Sequence, residues 1–355
     1  MIRLLIVDDS ALMRRQLSQV FQAEGDFEIR MARNGREAVN ENRDFQPDVV
    51  TLDINMPEMD GLTALSLIMA ERAVPVVMVS SLTEKGALAT FEALNLGAVD
   101  YVAKPGGTIS LSIDDIRQEM ISKVRAACKA RLKQASQAKG LTRRIREDRE
   151  KAVKQPPVFR RGAQGEGVVL IGVSTGGPRT LEEILPELDP ALPWPVLVAQ
   201  HMPAAFTRSF AERLNAVCEL NVLEVAGPME IECGNIYIAK GGADMVVVQR
   251  GARLSVIPRP EAKEYIWHPS VELLARSALE HFDPARIIGV MLTGMGYDGA
   301  DAFTDIRKRG GRTIAESAET AVVFGMPAEL IERGGASVTL PMQKIAVQIN
   351  HWAGR

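Results

Sequence analysis

Three reactive side chains, Ser174, His201 and Asp298, each stand just past a short apolar run rich in β-branched residues. Such runs predict buried strands, and the carboxyl ends of parallel strands meet at one edge of a sheet. A serine hydroxyl is a poor nucleophile at neutral pH, but an imidazole can remove its proton and a carboxylate can orient that imidazole. The three residue types therefore predict an acyl-transfer site.

The segment around the serine, Gly172–Gly176 (GVSTG), fits the G-x-S-x-G pattern of a nucleophile elbow. The pattern is short, so a serine in an ordinary Gly-rich strand–helix turn that holds an anion remains an alternative. A Walker phosphate loop is disfavoured because no Gly-Lys-Ser/Thr follows. The chain order Ser, His, Asp differs from that of the α/β-hydrolases, so the elbow does not by itself imply their fold.

The other two candidates also have plainer interpretations. His201 could be an ordinary hydrogen-bonded histidine, and Asp298 could cap the helix predicted after Gly299. His268, beside Trp267, is a rival base. His281 and His351 lie in helix-like, peripheral stretches and are weaker rivals. The Gly-rich loop around Asp298 exposes backbone N–H groups that could hold an oxyanion.

A second polar set follows the predicted strands of the N-terminal third and consists of Asp8, Asp9, Asp53, Ser80 and Lys104. Crowded carboxylates repel one another unless a cation lies among them, and hard oxygen ligands suit Mg²⁺. A lysine and a hydroxyl nearby could hold phosphoryl oxygens. Simple helix capping is the alternative, and it suits Ser10 better than it suits the whole set.

Strand and helix patterns alternate along the N-terminal third, which predicts a parallel sheet with helices on both faces. Its predicted strands are Arg3–Val7, Phe27–Ala32, Val49–Leu52, Val76–Val79 and Val99–Ala103. The C-terminal half also alternates, with added strands bounded by Gly and Pro. Its predicted strands are Val168–Ile171, Pro195–Ala199, Asn221–Ala226, Asn235–Ala239, Asp244–Gln249, Leu254–Ile257, Ile287–Leu292, Thr313–Glu316 and Ser337–Leu340.

The predicted domain division is 1–122, a linker over 123–166, and 167–355. The linker contains the basic stretch 139–161, which Pro156 and Pro157 interrupt. We interpret it as an exposed tether. Nucleic-acid binding through it is disfavoured because it lacks aromatic residues for base stacking.

The composition of the 355-residue chain is that of a globular protein, with 46% hydrophobic and 25% charged residues. The formal net charge of −3 does not indicate a nucleic-acid binder. No apolar run reaches the length of a membrane span, and the N-terminus lacks a signal-peptide layout. The three scattered cysteines have no metal-ligand spacing and fit a reducing cytoplasm.

The N-terminal third resembles a two-component receiver domain. Its matching segments are Val7–Asp9, Leu52–Pro57, Met59–Gly61, Ser80–Ser81 and Lys104–Pro105. The resemblance implies a flavodoxin-like (βα)₅ fold in which Asp53 accepts a phosphoryl group. It further implies that Asp8, Asp9, Asp53 and the Asn55 carbonyl bind Mg²⁺, and that Ser80 and Lys104 contact the phosphoryl group. Tyr101 matches the aromatic position that responds to phosphorylation, although it could equally be a strand aromatic packed on a helix.

The C-terminal half resembles the chemotaxis protein-glutamate methylesterase (CheB) family. Its matching segments are Gly172–Gly177, Gln200–Pro203, Leu292–Gly299 and Val323–Pro327. The resemblance implies a doubly wound α/β domain with a mostly parallel sheet and no cofactor. In it Ser174 is the nucleophile, His201 the base, Asp298 the orienting acid, and the Met295 N–H an oxyanion donor. Trp267–Ser270 resembles a variable substrate-side segment, so we assign no catalytic role to Trp267 or His268.

By this resemblance we expect a cytoplasmic, phosphorylation-activated serine esterase acting in chemotaxis adaptation. Its substrates would be glutamyl methyl esters on the cytoplasmic parts of chemoreceptors, and it would also deamidate receptor glutamines. A chemotaxis histidine kinase would be the phosphodonor, and no nucleic acid is expected. The alternative from another class is a receiver-controlled module that binds an anion without catalysis.

Overall fold

The computed structural model describes residues 1–81, 83–104, 109–130 and 166–354. The chain divides into two compact units, Met1–Arg146 and Glu147–Arg355, here called the N-terminal and C-terminal units. Residues 131–165 of the predicted linker, which include the basic stretch 139–161, and Pro105 lie outside the described residues.

The N-terminal unit contains a five-stranded sheet in the order β2-β1-β3-β4-β5, in which every pair is parallel. Its elements are β1 (Ile2–Val7), α1 (Ala11–Gln22), β2 (Phe27–Ala32), α2 (Gly35–Asp44), β3 (Val49–Asp53), α3 (Gly61–Glu71), β4 (Val76–Ser80), α4 (Glu84–Leu96), β5 (Asp100–Ala103) and α5 (Ile109–Cys128). Helix α5 continues past 122, the limit predicted for this domain.

Burial and capping explain these elements. All residues of β3, β4 and β5 are buried, as expected for strands of a parallel sheet that helices cover on both faces. The first four helices each begin at a polar side chain that accepts the N–H of the third residue after it. These N-caps are Ser10, Asn34, Asp60 and Thr83.

The C-terminal unit contains a seven-stranded sheet in the order β15-β14-β13-β6-β7-β10-β8, and a three-stranded sheet in the order β11-β12-β9. Its strands are β6 (Val168–Val173), β7 (Val196–Gln200), β8 (Asn221–Val225), β9 (Met229–Glu230), β10 (Asn235–Ala239), β11 (Asp244–Arg250), β12 (Arg253–Arg259), β13 (Ile287–Met291), β14 (Arg312–Glu316) and β15 (Val338–Leu340). The larger sheet is parallel throughout and the smaller one is antiparallel.

Helices connect these strands. They are α6 (Gly177–Ile184), α7 (Ala204–Val217), α8 (Val271–His281), α9 (Ala300–Lys308), α10 (Met326–Glu332) and α11 (Ile345–Ala353), with short 3₁₀ helices at Leu185–Glu187, Pro284–Arg286 and Met342–Lys344. Strand β6 lies between β7 and β13, so the chain leaves it in one direction and later returns on its other side. This is a topological switch point, and in open α/β sheets ligands bind in the crevice at the carboxyl ends of such strands.

Candidate functional site

The turn after β6 holds Ser174 in a tight, glycine-dependent geometry. Gly176 has a φ of +79°, which other residues rarely adopt, and a Cβ there would lie 2.6 Å from the Val322 Cβ. The Ser174 N–H donates to the Thr293 carbonyl at 2.9 Å, and the Ser174 carbonyl accepts the Gly177 N–H at 2.8 Å. The turn is therefore tied both to the loop after β13 and to the start of α6.

Strand register places Ser174 and His201 at adjacent strand ends. The pairing of β6 with β7 runs up to Val173 and Gln200, and each candidate is the next residue along its strand. The buried Gln200 side chain links the two turns, because its Nε2 donates to the Ser174 carbonyl at 3.1 Å and to the His201 carbonyl at 3.0 Å. Sequence reasoning assigned Gln200 no role, although its place directly before His201 could have drawn attention to it.

His201 and Asp298 form a direct pair. The His201 Nε2 lies 2.8 Å from the Asp298 Oδ2, and Asp298 is 5% exposed. Because Nε2 faces a carboxylate, the tautomer protonated there is favoured, and the lone pair of the imidazole then lies on Nδ1. The ring is therefore oriented as a base whose accepting nitrogen is Nδ1.

The Asp298 carboxylate lies at the N-terminus of α8. Its Oδ2 accepts the Val271 N–H at 2.7 Å, and its Oδ1 accepts the Glu272 N–H at 3.0 Å and the Ser270 hydroxyl at 3.1 Å. A helix N-terminus favours negative charge, so these donors stabilise the charged carboxylate. The plainer interpretation of Asp298, as the cap of the helix after Gly299, is wrong: α9 has no side-chain cap, and the carboxylate caps α8 instead.

Two polar groups of the site have no hydrogen-bond partner within the described ranges. The His201 Nδ1 is buried and unpaired, and no hydrogen bond of the Ser174 hydroxyl occurs among the residues that the structure describes. A buried imidazole nitrogen without a partner is costly. The arrangement leaves a proton acceptor beside the strand end that carries the hydroxyl.

The loop after β13 passes close to Ser174. A Cβ on Gly294 would lie 2.8 Å from the Ser174 Cβ, so a larger residue there would displace one of the two segments. The Gly294 carbonyl accepts the N–H groups of Gly325 and Met326 at 3.1 and 2.9 Å, which fixes the loop. The Met295 N–H makes no backbone hydrogen bond in the described part of the chain. It is thus available to an oxyanion next to Ser174.

A buried carboxylate that sequence reasoning missed supports this loop. Glu316, at the end of β14, is fully buried and accepts the Thr293 N–H at 2.8 Å and the Thr320 hydroxyl at 2.9 Å. The Thr293 hydroxyl in turn donates to the Thr175 carbonyl at 2.8 Å. These hydrogen bonds connect Glu316 and the loop after β13 to Thr175, the residue that follows Ser174. A glutamate that ends an apolar strand was the sequence signal for this network.

Trp267 packs against the catalytic candidates. Its ring is parallel to that of His201, with centroids 6.0 Å apart, and it meets Tyr297 edge-on at 5.0 Å. The rival histidine His268 is paired with the fully buried Asp244, whose Oδ1 lies 2.9 Å from Nδ1. The other rivals lie on α8 and α11.

In the N-terminal unit, Asp8, Asp9 and Asp53 form the predicted acidic cluster. Their carboxylate oxygens lie within 4.8 Å of one another. The Lys104 Nζ lies 2.9 Å from the Asp8 Oδ2 and 2.8 Å from the Asp53 Oδ2. Burial raises the pKa of Asp53, although Lys104 partly opposes the shift. Burial also lowers the pKa of Lys104, but the hydrogen bonds and charges of Asp53 and Asp8 outweigh it, so the net shift is upward.

The other receiver candidates lie around this cluster. The Asn55 N–H lies 3.4 Å from the Asp53 Oδ1. The buried Ser80 ends the neighbouring strand β4, and its hydroxyl donates to the Gly86 carbonyl at 3.3 Å. The Tyr101 ring is buried under α5, with the Lys123 Nζ 4.9 Å from its centroid, and burial raises its pKa well above the usual value. This placement matches the expected alternative of a strand aromatic packed on a helix.

Family profiles match both parts of the chain, one described as CheB methylesterase over residues 169–349 and one as response regulator receiver domain over 4–113. The chain is 54% identical to protein-glutamate methylesterase/protein-glutamine glutaminase 3 of Rhodospirillum rubrum, covering 100% of this chain and 97% of that protein. It is 50% identical to the protein-glutamate methylesterase/protein-glutamine glutaminase of Caldanaerobacter subterraneus, covering 97% and 95%. The crystal structure of the Thermotoga maritima CheB methylesterase catalytic domain matches with 38% identity and a TM-score of 0.51, over 53% of this chain and 99% of that one.

Among the described residues, no helix combines the length and the apolar character that crossing a membrane requires.

Proposed function

The chain belongs to the CheB methylesterase family and carries a receiver domain ahead of the catalytic domain, and from this premise we propose how its two sites work. It is a protein-glutamate methylesterase/protein-glutamine glutaminase of chemotaxis, as its full-length relatives are named. The family and enzyme class expected from the motifs are confirmed. The expected α/β fold class is confirmed in both units.

The pair formed by His201 and Asp298 beside Ser174 is the observation that carries the mechanism. The Ser174 Oγ attacks the carbonyl carbon of the ester while the His201 Nδ1 takes its proton. The Met295 N–H donates to the oxyanion of the tetrahedral intermediate. Collapse of the intermediate breaks the ester C–O bond, and His201 returns the proton to the departing methanol.

Water then completes the reaction. His201 takes a proton from the water molecule that attacks the acyl-Ser174, and returns it to the Ser174 oxygen as the carboxylic acid departs. Deamidation follows the same path, with ammonia as the leaving group. The Asp298 carboxylate accepts the hydrogen bond of the His201 Nε2 throughout and so holds the imidazole, supported by the N–H groups at the start of α8.

In the receiver domain, Asp53 accepts the phosphoryl group. The crowded oxygens of Asp8, Asp9 and Asp53 fit a hard divalent cation, and the Asn55 carbonyl would complete the protein ligands. Bound Mg²⁺ would offset the negative charge of the carboxylates and the phosphoryl oxygens. The Lys104 Nζ lies 2.8 Å from the Asp53 Oδ2 and would pair with one phosphoryl oxygen. The Ser80 hydroxyl would turn toward a second phosphoryl oxygen.

The remaining proposals concern organisation and partners. The receiver comprises 1–122, the linker 123–166 and the catalytic domain 167–355, with Mg²⁺ in the receiver and no cofactor in the catalytic domain. The substrates are glutamyl methyl esters on the cytoplasmic parts of chemoreceptors, which implies a cytoplasmic location. A chemotaxis histidine kinase supplies the phosphoryl group, and no nucleic acid takes part.

One assay tests the proposal against a non-catalytic binding module. Methanol release from methylated receptor membranes is measured for the full chain, with and without a small phosphodonor in Mg²⁺. We expect release, and more of it with the phosphodonor. A serine-directed acylating reagent should label Ser174, located by mass spectrometry, and should leave Ser209 on α7 unlabelled. Neither release nor labelling would favour the binding module.

A further inference from the structure

Exposed apolar side chains gather around the catalytic crevice. Ile266 is 71% exposed, Tyr297 47% and Phe324 38%. These three residues, here called the apolar rim, come from three separate loops that either include or pack next to the segments carrying the catalytic candidates. Elsewhere in the described part of the C-terminal unit, the exposed large apolar side chains are Val217 on α7 and Val347 on α11.

The first side of the rim is built on Trp267. Ile266 directly precedes Trp267, whose ring is stacked on that of His201. Tyr297 meets the same indole edge-on and directly precedes Asp298. A Cβ on Gly296 would lie 2.5 Å from the Trp267 ring, so the two loops are in close contact. Ile266 and Tyr297 therefore flank the His201–Asp298 pair.

The second side of the rim lies beyond Ser174. Phe324 forms a parallel backbone bridge with Gly294, and Gly294 is the residue that packs against the Ser174 Cβ. The next residue, Gly325, donates its N–H to the Gly294 carbonyl at 3.1 Å. Phe324 is thus anchored to the loop that packs against the nucleophile and carries the Met295 N–H.

The substrate class indicates what covers this rim. This inference rests on the proposed function, in which the reacting ester is a glutamyl side chain of a polypeptide. Such a side chain is short, so its backbone must lie over the mouth of the crevice while the ester reaches Ser174. Exposed apolar side chains on several loops beside one site indicate an interaction surface, and covering them is favourable.

We infer that Ile266, Tyr297 and Phe324 dock the substrate polypeptide by contacting apolar side chains beside the reacting glutamyl ester. The rim thereby selects glutamyl esters in an apolar sequence context and favours them over free esters. It adds a specificity determinant that acts on the residues flanking the ester, separate from the groups that act on the ester itself.

Three ester substrates test the inference on the full chain. Two are peptides with a single glutamyl γ-methyl ester that differ only in carrying leucine or serine beside it, and the third is the γ-methyl ester of N-acetylglutamate amide. We expect the parent protein to have a higher kcat/KM on the leucine peptide than on the serine peptide. Ile266→Ser and Phe324→Ser together should reduce that preference about tenfold, equivalent to about 1.4 kcal/mol. Val347→Ser, at an exposed site on α11, should preserve it.

The possible outcomes separate this inference from the proposed function. Equal kcat/KM values for the two peptides, or an unchanged preference in the rim variants while the free ester is still cleaved, would overturn the docking role alone. A uniform rise for all three esters in the rim variants would indicate that the receiver domain covers the rim, and would also overturn it. A parent protein that cleaves none of the three esters but releases methanol from methylated receptor membranes would overturn the docking role alone. Release from neither the esters nor the membranes would overturn the proposed function, and this inference with it.

Discussion

Each unit places a buried aspartate near the carboxyl edge of a parallel sheet, yet surrounds it differently. Asp53 is the last residue of β3, and Asp298 lies in the loop that follows β13. Asp298 receives hydrogen bonds from Ser270, Val271, Glu272 and His201. Asp53 has Lys104 at 2.8 Å and only a long contact from Asn55, and two further carboxylates crowd it.

This difference separates a supporting carboxylate from a reactive one. Both carboxylate oxygens of Asp298 accept hydrogen bonds, so this side chain can orient an imidazole but is poorly placed to act as a nucleophile. Burial raises the pKa of Asp53, and its carboxylate lies within 4.8 Å of those of Asp8 and Asp9, the cluster that we propose binds Mg²⁺. In these sheets, the donors around an aspartate decide its chemistry more than its position does.

The largest expected effect on activity comes from removing the Ser174 hydroxyl, whose proton the His201–Asp298 pair is proposed to accept. Ser174→Ala should reduce kcat for methyl-ester hydrolysis by about 10⁴-fold or more, because the covalent route needs the hydroxyl. Steady-state methanol release measures this effect, and circular dichroism checks the fold. Ser209→Ala on α7 is the matched control and should keep parental turnover. Near-parental turnover of Ser174→Ala would rule out the covalent mechanism.

Asp298→Asn should reduce kcat less than Ser174→Ala does, by about 10²- to 10⁴-fold. The amide keeps an acceptor for α8 but presents no charge to His201, so the favoured tautomer is lost. The loss of charge at the helix N-terminus should also destabilise the unit by about 1 kcal/mol. Kinetics and denaturant unfolding measure the two effects. Asp189→Asn, at an exposed turn, is the control. An Asp298→Asn protein with parental kcat would show that the carboxylate serves only as a helix cap.

Much of this arrangement could be predicted from the sequence. Inner strands such as β6 and β13 are apolar and β-branched, so the sequence predicted where they begin and predicted where they end to within two residues. The two-residue strand β9 was missed, because two residues carry no periodicity. The capping of α8 by Asp298 was also missed, because its donors lie 26 and 27 positions earlier in the chain. The strand-end positions of Gln200 and Glu316 were visible in the sequence, but their tertiary hydrogen-bond partners were not.

A smaller effect is expected from removing the receiver. A chain beginning at about Gly165 should show higher basal esterase activity than the unphosphorylated full chain, by roughly 5- to 150-fold, the usual range of allosteric coupling. The physical reason is that, in the proposed phosphorylation-gated enzyme, a chain without the receiver no longer needs phosphorylation to become active. Turnover of the full chain, the phosphorylated chain and the shortened chain measures this effect. A folded shortened chain slower than the unphosphorylated full chain would show that the receiver activates by helping to assemble the site.

The smallest expected effect is on the stability of the N-terminal unit and arises from the charge on Asp53. Whether that charge stabilises or destabilises the unit follows from the raised pKa of Asp53. The folded unit binds the Asp53 proton more tightly than the unfolded chain does. The stability that this provides is therefore fully present below the unfolded pKa and is lost as the pH rises through the folded pKa. At neutral pH and without a divalent cation, the ionised Asp53 carboxylate reduces the stability of the unit.

Asp53→Asn should therefore raise the Tm of the N-terminal unit by a few degrees at pH 7 in a chelator, since about 1 kcal/mol shifts the Tm of a small domain by several degrees. Lys104 keeps Asp8 as a partner in this variant. The gain should shrink in acid, where Asp53 is protonated, and calorimetry at both pH values measures it. The same variant should take up no phosphate from a small phosphodonor in Mg²⁺, by mass spectrometry, whereas the surface control Asp44→Asn should. A Tm lowered by Asp53→Asn would mean that its pairing with Lys104 outweighs burial, and that Asp53 resembles Asp298 more than proposed.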